Sequence, residues 1–159
     1  MILYHGSNIA VKTIELRLSR HLLDFGSGFY MTSDYGQAAK WATIKTKRLE
    51  TGCACVSIFE VSEEIWKTLK IQMFSGPNYE WLRFVNSNRH GIAVECDADV
   101  VIGPVANDNT MPVLNLFFSG AYTEDEALRR LLPQKLNNQF TFKTKHSIEA
   151  LLFKEVMKL

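Results

Sequence analysis

The sequence predicts one α+β domain. Three observations lead there. Strand-like and helix-like segments are interspersed without a regular βαβ rhythm, 159 residues fit one domain, and no linker, repeat or low-complexity tract divides the chain. A chain of this size buries a core without metal or disulfide staples.

The elements follow in order. Ile2 to Tyr4 is apolar and stops at His5-Gly6-Ser7-Asn8, which reads as a short strand entering a turn. Residues 9 to 24 alternate only roughly and read as loop, with Arg20 and Asp24 inside it. Gly26 and Gly28 mark turn positions before a strand at Phe29 to Thr32. Asp34 then has the chemistry of a helix N-cap, with Gln37 three residues on. Tyr35, Ala38, Ala39 and Ala42 share one helical face. Lys40, Lys45, Lys47 and Arg48 fill the polar remainder, with cations toward the C-terminal end, and Gly52 closes the helix.

Cys53 to Val61 is β-branched and alternating, a strand. Glu63 to Gln72 is ambiguous. Gly76-Pro77 breaks the chain, and Asn78 to Asn86 reads as helix. Val100 to Val105 is a strand that Gly103-Pro104 ends or bends. Pro112 to Phe118 is an apolar helix or loop. Thr123, with Glu126 three residues on, starts a helix that Pro133 ends. Asn138 to Thr144 alternates as a strand, His146 to Leu152 makes a helical turn or two, and Phe153 to Met157 is a last strand.

Composition excludes several classes. Lysine plus arginine number 18 and aspartate plus glutamate 17, so no global charge draws the chain to nucleic acid or membrane, although a local basic face stays open. Cys53, Cys55 and Cys96 are an odd count with one C-x-C pair, which reads as buried thiols in a reducing compartment. Cys53 and Cys55 share a strand face, and no further ligands at suitable spacing make a zinc site. No metal is implied. The start of the chain lacks the charged-then-apolar pattern of a signal peptide, and no segment reaches the ~18 apolar residues of a membrane span. The expectation is a cytoplasmic protein. HExxH, Walker and G-x-S-x-G motifs do not occur.

Three segments stand out: Leu3-Tyr4-His5-Gly6-Ser7; Phe25-Gly26-Ser27-Gly28-Phe29-Tyr30-Met31-Thr32 with Gln37-Ala38-Ala39-Lys40-Trp41; and Asn138-Gln139-Phe140. The first two strongly resemble the NAD-binding core of the ADP-ribosyltransferase superfamily, in its diphtheria-toxin and poly(ADP-ribose) polymerase branch. That branch carries a His-Gly turn, a G-x-G-aromatic-Tyr strand, a helix with small residues and a second aromatic, and a carboxylate on a late strand. The wider pattern S-R-x-x-x-D-F-G-x-G-F-Y also looks like a bacterial toxin-like group of that superfamily, some of whose members pair with small antitoxins. The resemblance implies a split β-sheet core with surrounding helices over residues 1–159, with NAD as substrate.

The resemblance also implies roles. His5 would bond the adenosine ribose, and Gly6 would offer its backbone to the nicotinamide carboxamide. Ser7 would assist at the ribose. Tyr30 would stack under the nicotinamide ring and Trp41 would cover its other face. From the residues alone, an imidazole at a strand end reaches a ligand hydroxyl with either nitrogen. A glycine there permits close approach. The bland alternatives are a locally satisfied histidine, a turn glycine and two core aromatics. Gly28 lets the loop approach the cofactor, and Arg20 suits the pyrophosphate, an exposed loop arginine being the even alternative.

Two departures carry weight. Gln139 stands where the family usually has glutamate. Its amide oxygen orients a ribose hydroxyl, but it supplies neither a full negative charge nor a base. Transfer of single units is therefore expected rather than chain elongation. Ala38 replaces a serine that contacts the carboxamide in the polymerases. Asn137, two residues before Gln139, is placed to position an acceptor, with a polar edge strand as the competing reading for both. The function implied is mono-ADP-ribosylation of a macromolecular acceptor, protein or nucleic acid, with nicotinamide released and a small antitoxin as partner. The rival of another class is a catalytically weak module that binds NAD or ADP-ribose and acts through a protein partner. An RNA-directed, 2′-phosphotransferase-like enzyme draws little support from the near-neutral charge.

Overall fold

Alternation builds seven strands among the described residues: β1 (Ile2–Ser7), β2 (Phe29–Thr32), β3 (Cys55–Glu60), β4 (Ile71–Met73), β5 (Val100–Pro104), β6 (Asn138–Phe142) and β7 (Leu152–Lys158). Between them lie α1 (Tyr35–Leu49), α2 (Glu63–Trp66), α3 (Tyr79–Arg89), α4 (Met111–Phe118), α5 (Glu124–Leu131) and α6 (Lys145–Glu149). A 3-10 turn covers Leu16–Leu18. This computed structural model describes residues 1–107, 109–134 and 136–159.

The strands form one mixed sheet in the order β4-β5-β6-β2-β1-β3-β7. Only β4 and β5 run parallel; the other neighbours are antiparallel. The architecture is α+β, as expected. One junction differs from the rest. β1 and β2 pair in register only at Tyr4 and Thr32, whereas β1 and β3 pair along the whole of β1. Past Tyr4, the β2-side edge of β1 has no strand partner among the described residues.

Register assigns the two faces, because successive side chains alternate. Tyr30, Thr141 and Val101 are cross-strand neighbours on one face, which α3, α4 and α5 cover. Tyr4, Val56 and Ile58 share that face on the other half of the sheet, where Ala38 of α1 packs against them. Leu3, Met31, Phe59, Val100 and Phe142 turn the opposite way and form a second core with Leu69 and Ala150. Trp81 is fully buried, and its indole N–H donates to Pro104 O at 3.1 Å, so its burial leaves no orphan donor. A fully buried apolar side chain of this kind contributes about 1.5–3 kcal/mol.

Capping chemistry sets the helix starts. Asp34 accepts from Gln37 N, Ser62 from Ile65 N, Asn78 from Trp81 N and Thr123 from Glu126 N. Each satisfies one orphan donor of a first turn. At α1 the expected reciprocal bond is absent, because the Gln37 carbonyl oxygen accepts from Thr32 Oγ1 instead.

Several expectations change. The turn after Tyr4 is displaced: β1 continues through His5, Gly6 and Ser7 because these pair with Ser57, Val56 and Cys55 of β3. The third strand begins at Cys55, and Cys53 before it is exposed, so only Cys55 of that pair is a buried thiol. The ambiguous stretch 63–72 divides into α2 and the start of β4. Among the described residues no helix is long and apolar enough to cross a membrane.

Candidate active site

A cavity of about 1200 Å³ opens where β1 and β2 part, lined by those strands, β6, α1 and the segment 9–24. Its volume exceeds the roughly 300–1,000 Å³ of ordinary small-molecule sites. His5, Gly6, Ser7, Arg20, Gly28, Tyr30, Trp41, Asn137 and Gln139 all line it. Residues 134 apart in sequence thus meet in one concavity (His5 to Lys-rich α1 to Gln139 in chain order).

His5 ties the two strands together across the opening. Its Nδ1 lies 2.7 Å from Tyr30 O, and its ring stacks on Phe29 at 4.3 Å between centroids. A carbonyl only accepts, so Nδ1 carries the proton. Burial holds the imidazole down to about 4, which keeps it neutral near pH 7. Nε2 is therefore an acceptor, and among the described residues nothing donates to it.

Gly6 has a structural reason to be glycine. A Cβ there would meet Ala38 O at 1.9 Å. The missing side chain seats α1 directly on β1. Ala38 is the one predicted site residue that does not reach the cavity: it is fully buried against Gly6, Val56 and Ile58. Its smallness serves helix–strand packing rather than ligand contact. Gly28 likewise lets the chain press on β6, where a Cβ would lie 2.5 Å from Thr141 Cγ2.

Tyr30 lines the cavity, and its hydroxyl is engaged by the loop before β2. The hydroxyl accepts from Phe25 N at 3.0 Å and donates to Gly26 O at 2.7 Å, and burial raises its pKa. Lys143 Nζ, its own pKa lowered by burial, donates to Phe25 O and Ser27 O and pins the same loop. Trp41 is half-buried on α1.

Gln139 is 2% exposed, and its Nε2 donates to Asp24 Oδ2 at 3.0 Å. A carboxylate only accepts, so the orientation of the amide is decided chemically. Gln139 lines the cavity, and its Oε1 has no hydrogen-bond partner among the described residues. Asp24 is itself buried. Its Oδ2 also accepts from Ala106 N, and its Oδ1 is 2.6 Å from an Arg89 guanidinium nitrogen.

The chain matches, over residues 1–153, the family described as protein of unknown function (DUF3990). The chain belongs to that family. No curated protein and no solved structure matches it.

Asn137 lies just before β6, and its side-chain amide donates to Asp34 Oδ2 at 3.0 Å. Ser7 Oγ accepts from Lys45 Nζ at 3.1 Å. Burial and the neighbouring Arg20 both lower the Lys45 pKa. Lys45 and Arg89 were not singled out as site residues from the sequence. Helical spacing from Trp41 puts Lys45 within reach of the Trp41 face, whereas nothing near Arg89 in the chain points to Asp24. Among the described residues no cluster of His, Cys, Asp or Glu is arranged to hold a metal ion.

Proposed function

We propose that this chain is a mono-ADP-ribosyltransferase of the split-sheet kind, taking NAD as substrate and releasing nicotinamide. The observation that carries the reading is the convergence of His5, Tyr30, Trp41 and Gln139 on one cavity at the single-pair junction of β1 and β2. On this reading the parted strands are the opening between half-sheets that the resemblance implies.

Each group has a task that its geometry suits. The neutral His5 accepts a ribose hydroxyl at Nε2. The unpartnered edge of β1 around Gly6 offers backbone groups to the carboxamide, since alternate residues of a strand direct both N–H and C=O to the same side. The Tyr30 and Trp41 rings hold nicotinamide by stacking. Lys45 and Arg20 attract the pyrophosphate. Gln139 Oε1 accepts a hydroxyl of the nicotinamide ribose, aimed by the bond from Nε2 to Asp24. As the C1′–nitrogen bond breaks, its electron pair goes to nicotinamide, and the amide dipole faces the positive ribose.

The binding-only reading has one observation in its favour. Glu15, Asp24 and Asp34 line the cavity, and each is engaged: Glu15 with Arg17, Asp24 with Arg89, and Asp34 with Gln37 N and Asn137. A general base is not ready at hand. Slow single transfers fit this arrangement better than rapid polymerisation.

Calorimetry with NAD, nicotinamide release and transfer of labelled ADP-ribose in lysate test the reading together. Binding, release and a labelled acceptor are expected, all lost in the double variant His5→Ala, Tyr30→Ala. Binding with no release over many hours favours the binding module, and intact transfer by the double variant overturns the assignment. The resemblance further implies a small restraining protein, which co-purification with a neighbouring gene product would reveal.

A further inference from the structure

The cavity carries more positive charge than one dinucleotide engages. Lys12, Arg20, Lys40, Lys45 and Arg48 line it, and none of them is in an ion pair among the described residues. The chain as a whole carries a formal charge of only +1, so this concentration is local. The carboxylates on the lining are already occupied, as described above. Arg20 and Lys45, beside Ser7, account for a pyrophosphate. Lys12, Lys40 and Arg48 remain, all exposed.

Their arrangement has a recognisable chemistry. Lys40, Trp41, Ile44, Lys45 and Arg48 fall on the cavity side of α1, with Lys12 on the segment 9–24. Cations set around an aromatic ring attract a phosphate backbone and give bases a stacking surface. A protein acceptor has no general need for three spare cations at the mouth. A strand of phosphates does.

We infer that the acceptor is a single-stranded nucleic acid, its phosphates held by Lys12, Lys40 and Arg48. This rests on the transferase reading above. Single-strandedness follows from depth: Gln139 is 2% exposed, and a base locked in a duplex stack cannot reach it. A nucleophilic nitrogen or oxygen of the strand bonds to C1′ of the nicotinamide ribose as the C1′–nicotinamide bond breaks. The electron pair leaves with nicotinamide, and the acceptor's proton passes to water.

The test uses the full chain, a short fluorescent RNA strand, the same sequence as DNA, and a duplex of each. Three phosphate contacts predict a slope of log affinity against log salt of about −2, or a roughly 20-fold loss between about 50 and about 200 mM salt. Duplexes bind at least ~10-fold more weakly than single strands. The variant K12A/K40A/R48A loses about 10-fold or more and flattens the slope, with its melting temperature retained because all three side chains are exposed. With labelled NAD, label appears on RNA, on DNA or on both. Absent or salt-insensitive strand binding overturns the inference. So does nicotinamide release with label found only on protein, which leaves the transferase reading standing. Strand binding with no nicotinamide release overturns both.

Discussion

The side-chain amide of Gln139 donates to Asp24 Oδ2 at 3.0 Å, and Asp24 Oδ1 meets Arg89 at 2.6 Å. A glutamine is therefore what this carboxylate requires at position 139. The glutamate usual in the superfamily that the chain resembles would set two carboxylates against each other in a buried site. Gln139→Glu is expected to destabilise the fold by about 2–4 kcal/mol at neutral pH and not to raise transfer. The cost shrinks as pH falls and the new carboxyl protonates. Adding Asp24→Asn relieves it, so the double variant is more stable than the two single effects sum to. Urea unfolding of the four proteins at two pH values measures this, and simple additivity would count against the Gln139–Asp24 link.

His5 predicts a pH dependence. Its folded pKa is held down to about 4, against 6.5 when unperturbed. Between these values the unfolded chain binds a proton that the folded chain refuses. The contribution is complete above the unfolded pKa and declines as pH falls toward the folded one. From about pH 7 to about pH 4.5 it amounts to about 2–3 kcal/mol. Urea unfolding across that range checks it. His5→Gln should lose less stability than the parent over the same interval, and an equal loss in both would remove the histidine from the account.

Gly6→Ala tests the seating of α1. The added methyl would sit 1.9 Å from a helix backbone oxygen, which cannot rotate aside. A cost of about 3 kcal/mol is expected, with loss of NAD binding as α1 and Trp41 move off the cavity. A folded variant with unchanged melting temperature would show that the helix does not rest on β1 as described.

Tyr30 separates ring from hydroxyl. Tyr30→Phe keeps the ring at the cavity but unpairs Phe25 N and Gly26 O, costing about 1–2 kcal/mol while retaining NAD affinity within a few-fold. Tyr30→Ala removes the ring and is expected to abolish detectable binding. Equal losses of affinity in the two variants would mean that the loop, and not the stacking surface, sets recognition.

Much of the fold was legible because its signals are local. Asp34, Thr123 and Asn138 to Thr144 sit where capping and alternation place them, and α1, α5 and β6 follow. The end of β1 was not legible. His5-Gly6-Ser7 has the composition of a turn, and only pairing with β3 holds it extended. The candidate site was legible at His5, Tyr30, Trp41 and Gln139, where the resemblance singled them out. Ala38 was misplaced because a small residue on a helix face reads the same whether it touches a ligand or a glycine. Of the cations, Lys40, Lys45 and Arg48 read only as the polar side of α1, since a helix does not announce what lies opposite it.

The sequence by itself determined the α+β class and most of the element types, because capping, periodicity and turn chemistry act over a few neighbouring residues. Tertiary structure alone decided that β1 and β2 part beyond Tyr4, that Arg89 neutralises Asp24, and that Asp24 holds the Gln139 amide by its nitrogen. The last two relations join groups more than 60 residues apart, and charge and hydrogen bonding between such groups exist only after the chain has closed on itself.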